Sequence, residues 1–162
     1  MPELGVGETL ETLLRDLNDE YDLTRRDAAH KLGKLKDPAA LSALIAALRD
    51  PSKLVRDNAA FALAEIRDKR AVLPLVELVR KDPDGRVRKS AAKGLGMLGD
   101  RRGVEPLVAA LGDPDPIVRK SAARALGQLR ASEAREALER AASDADVLVR
   151  KHARQALERI RK

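Results

Sequence analysis

"VRKSAARALGQL" at residues 118–129 nearly copies "VRKSAAKGLGML" at residues 87–98. Repetition at a fixed interval of roughly 20–50 residues is the mark of a stacked array, and it takes precedence over readings made one helix at a time. Aligned on the arginine of the Val-Arg step, Arg56, Arg88, Arg119 and Arg150 fall in register at intervals of 32, 31 and 31 residues, and one step back falls on Arg25. The chain therefore holds five copies. An aspartate stands six residues before each arginine, at Asp19, Asp50, Asp82, Asp113 and Asp144, and small residues and a leucine follow it, as in Ala59, Ala60 and Leu63.

Ahead of the aspartates lie apolar sets such as Leu41, Leu44, Ile45, Leu48 and Val72, Leu75, Val76, Val79. Their i, i+3, i+4, i+7 spacing is that of an amphipathic helix. Each unit is thus expected to be a helix pair: 8–18 with 22–35, 38–49 with 52–66, 70–81 with 84–98, 102–112 with 115–129, and 132–142 with 145–161. The whole chain, 1–162, reads as one domain with units near 8–36, 37–67, 68–99, 100–130 and 131–162. Asp50-Pro51, Asp82-Pro83 and Asp113-Pro114 read as helix N-caps followed by a first-turn proline. "KD", "RDK" and "GDR" near 36, 68 and 100 read as the tight turn inside each pair. Gly94, Gly96 and Gly99 read as the end of a helix, the last as its stop.

Composition agrees with this outline. With one Tyr, one Phe and no Trp but 44% apolar residues, the core must be built of Ala, Leu, Val and Ile, a mix that suits closely packed helices. The absence of cysteine removes disulfides, thiolate ligands and thiol nucleophiles together. No apolar run approaches the roughly 18–20 residues that span a bilayer, and "MPELGVGETLE" lacks the basic and apolar parts of a signal peptide. A cytoplasmic protein without a membrane anchor is expected. Charged residues make up 36% of the chain while Asn and Gln are scarce, a bias of heat-adapted or engineered proteins that predicts thermostability. The net charge of +6 favours acidic partners.

Five registered copies of Asp-x5-Arg, four of them followed by Ala-Ala-x-x-Leu, resemble HEAT-like repeats of the short type found in phycobilisome-lyase-related proteins and prokaryotic scaffolds. The resemblance covers residues 8–162. It implies an all-α fold, an α-solenoid in which five HEAT-like helix pairs form a right-handed superhelix, with the second helix of each pair lining the concave, ligand-facing side. Single pairs cannot bury their apolar faces, so units must stack and end units need polar outer surfaces. Glu158, Arg159, Arg161 and Lys162 give the last copy such an end.

A helical wheel separates scaffold from surface. With Leu54 as zero, Val55, Ala59, Ala62, Leu63 and Ile66 fall at about 80° to 180° and form the core set. Leu54, Asp57, Asn58, Phe61 and Glu65 fall within about 60° of zero and form an open stripe. In the later units the stripe holds Arg86, Lys89, Ser90, Lys93 and Met97, then Ile117, Lys120, Ser121, Arg124 and Gln128, then Leu148, Lys151, His152, Gln155 and Arg159. The first two units mix both signs, at Asp22, Arg26, Asp27, Lys34, Lys53, Asp57 and Glu65, whereas the cations of the last three have no acidic counterpart on the stripe. The residues expected to meet a partner are Phe61, Arg86, Lys89, Lys93, Met97, Lys120, Arg124, Gln128, Lys151, His152 and Gln155. The ladder arginines lie near 200° on the wheel, where a guanidinium reaches the aspartate turn of the next unit, so a scaffold role is expected for them. In the family such pairs link adjacent repeats.

Chemistry is not expected. His30 and His152 lie four units apart, more than about 30 Å at 8–10 Å per helix layer, and cannot share a metal ion. Iron-dependent hydroxylases of this architecture need a His-Glu dipeptide, which the chain lacks. DNA glycosylases of this architecture need aromatics to hold an extruded base, and the stripe offers only Phe61. No cofactor, metal or catalytic residue is expected. The expected function is a monomeric, non-catalytic scaffold or adaptor whose concave face binds an acidic protein segment. The alternatives are sequence-nonspecific contact with a nucleic-acid backbone, for which an isoelectric point near 9.8 is suitable, and more remotely a bilin-lyase-type accessory subunit. Missing stacking aromatics and base-reading motifs weigh against nucleic acid.

Overall fold

The structure is a computed structural model and describes residues 7–161. The signal-peptide reading of residues 1–6 and the place of Lys162 in a polar terminus lie outside that range. Ten α-helices and no strands occur among the described residues: α1 Leu10–Asp16, α2 Asp22–Leu35, α3 Leu41–Ala47, α4 Lys53–Ile66, α5 Val72–Lys81, α6 Gly85–Leu98, α7 Val104–Ala110, α8 Pro116–Gln128, α9 Arg135–Ala141 and α10 Val147–Arg161. They form the five expected pairs. The first helices of units two to five are shorter than expected because each opens with a 3-10 turn, at Pro38–Ala40, Lys69–Ala71, Arg101–Gly103 and Ser132–Ala134. In the first three of these, Asp37, Asp68 and Asp100 accept the N–H two residues on and hold the chain in the tighter winding.

Two local expectations are corrected. "KD", "RDK" and "GDR" lie between pairs rather than inside them: Lys36, Arg67 and Gly99 take left-handed backbone (φ 54°, 60° and 68°), which ends one unit's second helix and starts the next unit. Asp50, Asp82 and Asp113 are not N-caps either. The caps are Ser52, Asp84 and Asp115, two residues later. Asp84 and Asp115 accept the N–H of Arg86 and Ile117, while Asp50, Asp82 and Asp113 accept the N–H of Ser52, Asp84 and Asp115 and so brace the loop within each pair.

The second helices form a continuous layer, α2 on α4, α4 on α6, α6 on α8 and α8 on α10. Small residues set how close they come. A Cβ added at Gly33 would lie 2.7 Å from the Ala62 Cα, at Gly96 2.9 Å from the Ala125 Cα, and at Gly127 2.9 Å from the Ala156 Cα. Gly96 is therefore a packing residue, which its place near a helix end conceals. The first helices meet one another more sparsely, most closely at α5 and α7, so the stack curves with the second helices on its inner side. Between the layers, Leu44, Leu63, Leu75, Leu95, Leu107, Leu126 and Leu138 are buried. Val55, Ala59, Ala62 and Leu63 are core as expected; Ile66 is only half-buried, and Ala60 and Ala64, which lie toward the next unit, are buried as well. On α10, Arg154 and Glu158 are exposed where α8 carries the buried Ala123 and Gly127, a polar outer face of the kind a terminal unit requires.

The Asp/Arg ladder stitches the units together. The Nε atoms of Arg25, Arg56, Arg88 and Arg119 donate to Asp50, Asp82, Asp113 and Asp144 at 2.7, 2.7, 2.8 and 2.9 Å. Nη2 donates to the second carboxylate oxygen, and Nη1 to the carbonyls of Asp19, Asp50, Asp82 and Asp113 in the arginine's own unit. Each planar fork thus joins its own turn to the next one, a geometry that lysine cannot reproduce. Burial alone would raise the Asp50 and Asp113 carboxyls, but Arg25 and Arg88, with the N–H groups of Ser52 and Asp115, hold both below the ordinary 3.8. At Asp144 the Arg119 bond is the larger influence and the direction is the same.

Because these carboxyls bind protons more weakly folded than unfolded, their contribution to stability is complete above about pH 5 and is lost as pH falls below about 4, through the depressed folded values. Melting temperature should stay level from pH 7 to about 5 and then drop, and Asp113→Asn should drop less steeply. A melting temperature unchanged down to pH 2 would contradict the assignment.

Candidate partner-binding face

The stripe positions lie on the inner layer, and none of the residues expected to meet a partner is buried. Arg86, Lys93, Arg124, Gln128, Lys151 and Gln155 are exposed; Phe61, Lys89, Met97, Lys120 and His152 are half-buried. Two hollows gather most of them. One, about 250 Å³, is lined by Lys89, Lys93, Lys120, Arg124, Gln128 and His152 together with Ser121. The other, about 210 Å³, is lined by Arg124, His152, Gln155 and Arg159 over Gly127 and Ala156. Arg124 and His152 belong to both, so the hollows adjoin across α8 and α10. Phe61, Arg86, Met97 and Lys151 line neither.

Helix geometry explains the gathering. Lys89 and Lys93 on α6, and Lys120 and Arg124 on α8, are each four residues apart and share one helix face. The close packing of the second helices then sets the two pairs side by side.

The inner face of the last three units gathers cations without carboxylates. Arg86, Lys89, Lys93, Lys120, Arg124, Lys151 and Arg159 form no ion pair with a carboxylate among the described residues. Some exposed cations elsewhere do, Arg80 with Glu105, Arg101 with Glu133, Lys81 with Glu77 at 3.0 Å and Arg140 with Glu136 at 2.6 Å, whereas the exposed Arg49, Arg67 and Lys69 do not. The mixed charges of the first two units are compensated by ion pairs, one of them reaching Asp84 of the third unit. Arg26 pairs with Asp27 at 2.6 Å, Glu65 with Lys36 at 3.0 Å, and Lys53 with Asp84 at 3.0 Å. The Asp22 carboxylate accepts the Ser52 hydroxyl at 2.9 Å.

Two stripe residues differ from expectation. Ser90 is 6% exposed and donates to the Asp57 carboxylate across the unit junction, so both serve the scaffold. Phe61 carries the Lys93 ammonium 4.9 Å above its ring. That cation–π contact ties the aromatic to the basic groove, although the two belong to neighbouring units.

His152 reports the field. Burial, and then the charges of Lys120, Arg124, Lys151 and Arg159, depress its affinity for a proton below the ordinary 6.5. No cluster of residues suited to hold a metal ion occurs among the described residues. A separate hollow opens on the outer layer between α3 and α5, lined by Ile45, Leu48, Leu73 and Glu77 among others.

Comparison with known proteins agrees with this architecture. The family model described as HEAT repeats matches residues 7–96, 43–113 and 72–158. No curated protein matches the sequence. Among solved structures, the complex of CpcE and CpcF of phycocyanin lyase from Nostoc sp. PCC7120 is similar over 99% of this chain and 68% of its own, at 29% identity and a TM-score of 0.87. An engineered protein is similar over 94% of this chain and 79% of its own, at 27% identity and a TM-score of 0.68. Computationally designed armadillo repeat proteins for modular peptide recognition are similar over 93% of this chain and 81% of their own, at 25% identity and a TM-score of 0.68.

Proposed function

We propose that this chain, which belongs to the family of HEAT repeats, is a monomeric, non-catalytic scaffold that holds an acidic segment of a protein partner against α6, α8 and α10. The observation that carries this reading is the crowding of like charge: the inner face of the last three units gathers seven cations, none with a carboxylate partner among the described residues, and four of them line one hollow. Like charges gathered on parallel helices repel one another, and a partner of opposite sign relieves that repulsion. The similar structures support a binding role, since one is a complex of two chains and another serves modular peptide recognition.

A protein partner is favoured over nucleic acid by the aliphatic rim of the same face. Ile117 is 45% exposed and Leu148 47%, and apolar side chains of a peptide would cover them where a phosphodiester backbone offers nothing apolar. The test is fluorescence anisotropy with a short Glu- and Leu-containing peptide and with an arbitrary DNA duplex, at low and moderate salt. Peptide binding that survives moderate salt, with weaker DNA binding that is lost steeply, is expected. The reverse order would assign the groove to nucleic acid.

A lyase accessory role is the second reading, favoured by the 29% identity to the CpcE and CpcF complex. It predicts a stable complex with a second repeat protein rather than with an isolated peptide.

A further inference from the structure

His152 is the one titratable group near neutrality within the basic groove, and it lines both hollows. The charged groups that bear on it are Lys120 and Arg124 from α8 and Lys151 and Arg159 from its own helix, all cationic. In the empty groove a protonated ring would add a further positive charge to this cluster, in a half-buried place where hydration is reduced. Both effects favour the neutral ring. Resting on the reading that this face receives an acidic segment, we propose that His152 takes up a proton when the segment enters, so that capture is strongest on the acidic side of neutrality.

The physical basis is a change of neighbours. Carboxylates laid between α8 and α10 offset the four cations and offer the imidazole an acceptor, so the charged ring becomes favourable in the complex. By linkage, the protonated form then binds more tightly. The dissociation constant rises with pH across the window between the ring's titration in the bare groove and in the complex, by at most tenfold per pH unit, and is level on either side. His30 on α2 is a control, because it lies four units away from this cluster.

The experiment uses the full chain and a Glu-rich peptide, with anisotropy titrations between pH 5.5 and 8, above the region near pH 4.3 where glutamate side chains titrate. Calorimetry at pH 7 in two buffers of different ionisation enthalpy counts the protons taken up. The wild type is expected to lose affinity severalfold between pH 6 and 8 and to take up a fraction of one proton. His152→Gln should flatten the profile, abolishing the fall in affinity between pH 6 and 8 and the proton uptake whatever its affinity at any single pH. His30→Gln should keep the wild-type profile. Wild-type binding that does not vary with pH, or a His152→Gln profile that matches wild type, overturns the proton linkage and leaves the groove's affinity for acidic segments standing. No binding at any pH overturns both.

Discussion

Reversing the four central cations, Lys89→Glu, Lys93→Glu, Lys120→Glu and Arg124→Glu together, is expected to weaken capture of an acidic peptide by on the order of 100-fold or more. The melting temperature should change by no more than a few degrees. All four side chains line one hollow, and none supports the fold through an ion pair, so the scaffold loses little; Lys93 gives up its place above Phe61, a contact of about 0.5–1 kcal/mol at an exposed site. The partner loses four attractions and meets four repulsions. Single exposed charges mainly affect association rate and selectivity, and salt screens them, which is why the combined change is the informative one. Full retention of binding would place the partner elsewhere on the molecule.

The second large effect concerns the scaffold. Arg88→Ala should cost about 3 kcal/mol, toward the lower end of the range for removing one member of a buried pair, because the Arg88 and Asp113 side chains are 14% and 8% exposed rather than fully enclosed. The variant strips Asp113 of its bidentate partner and frees the carbonyls of Asp82 and Pro83. At roughly 2–4 °C per kcal/mol for a chain of this size, the melting temperature should fall by about 6–12 °C. Peptide binding at low temperature should persist, since the groove residues are untouched.

Arg150→Ala is the internal control. Arg150 donates to the Asp144 and Ala145 carbonyls but meets no carboxylate among the described residues, so its removal should cost no more than about 1.5 kcal/mol. Equal melting temperatures for the two variants would show that the aspartate bond does not join the units.

What the sequence discloses follows from where the determining contacts lie. Helix pairs, core leucines and the Asp/Arg ladder recur at one register, and each recurrence constrains the others. A wheel gives the direction of a side chain but not the depth of its surroundings. Ser90 points toward the open stripe in angle yet is buried by the neighbouring unit, and the Lys93 contact with Phe61 spans two units that no local pattern relates. Gly33, Gly96 and Gly127 are informative only beside Ala62, Ala125 and Ala156, about thirty residues away in the chain. The Asp-Pro steps misled because a proline after an aspartate suits a cap and a loop equally, and hydrogen-bond partners decide between them. The charge asymmetry was legible along the stripe, whereas the compensation of its first half needed the observed pairing of Lys53 with Asp84 and Lys36 with Glu65.

The central claim is that partners bind the inner, basic layer. Its most direct test is backbone amide NMR of the labelled chain titrated with a Glu- and Leu-containing peptide. Shift changes should cluster on α6, α8 and α10, at Lys89, Lys93, Lys120, Arg124 and His152, with Ile117 and Leu148 following at the rim. Changes centred instead on Ile45, Leu48, Leu73 and Glu77, in the outer hollow between α3 and α5, would contradict the account.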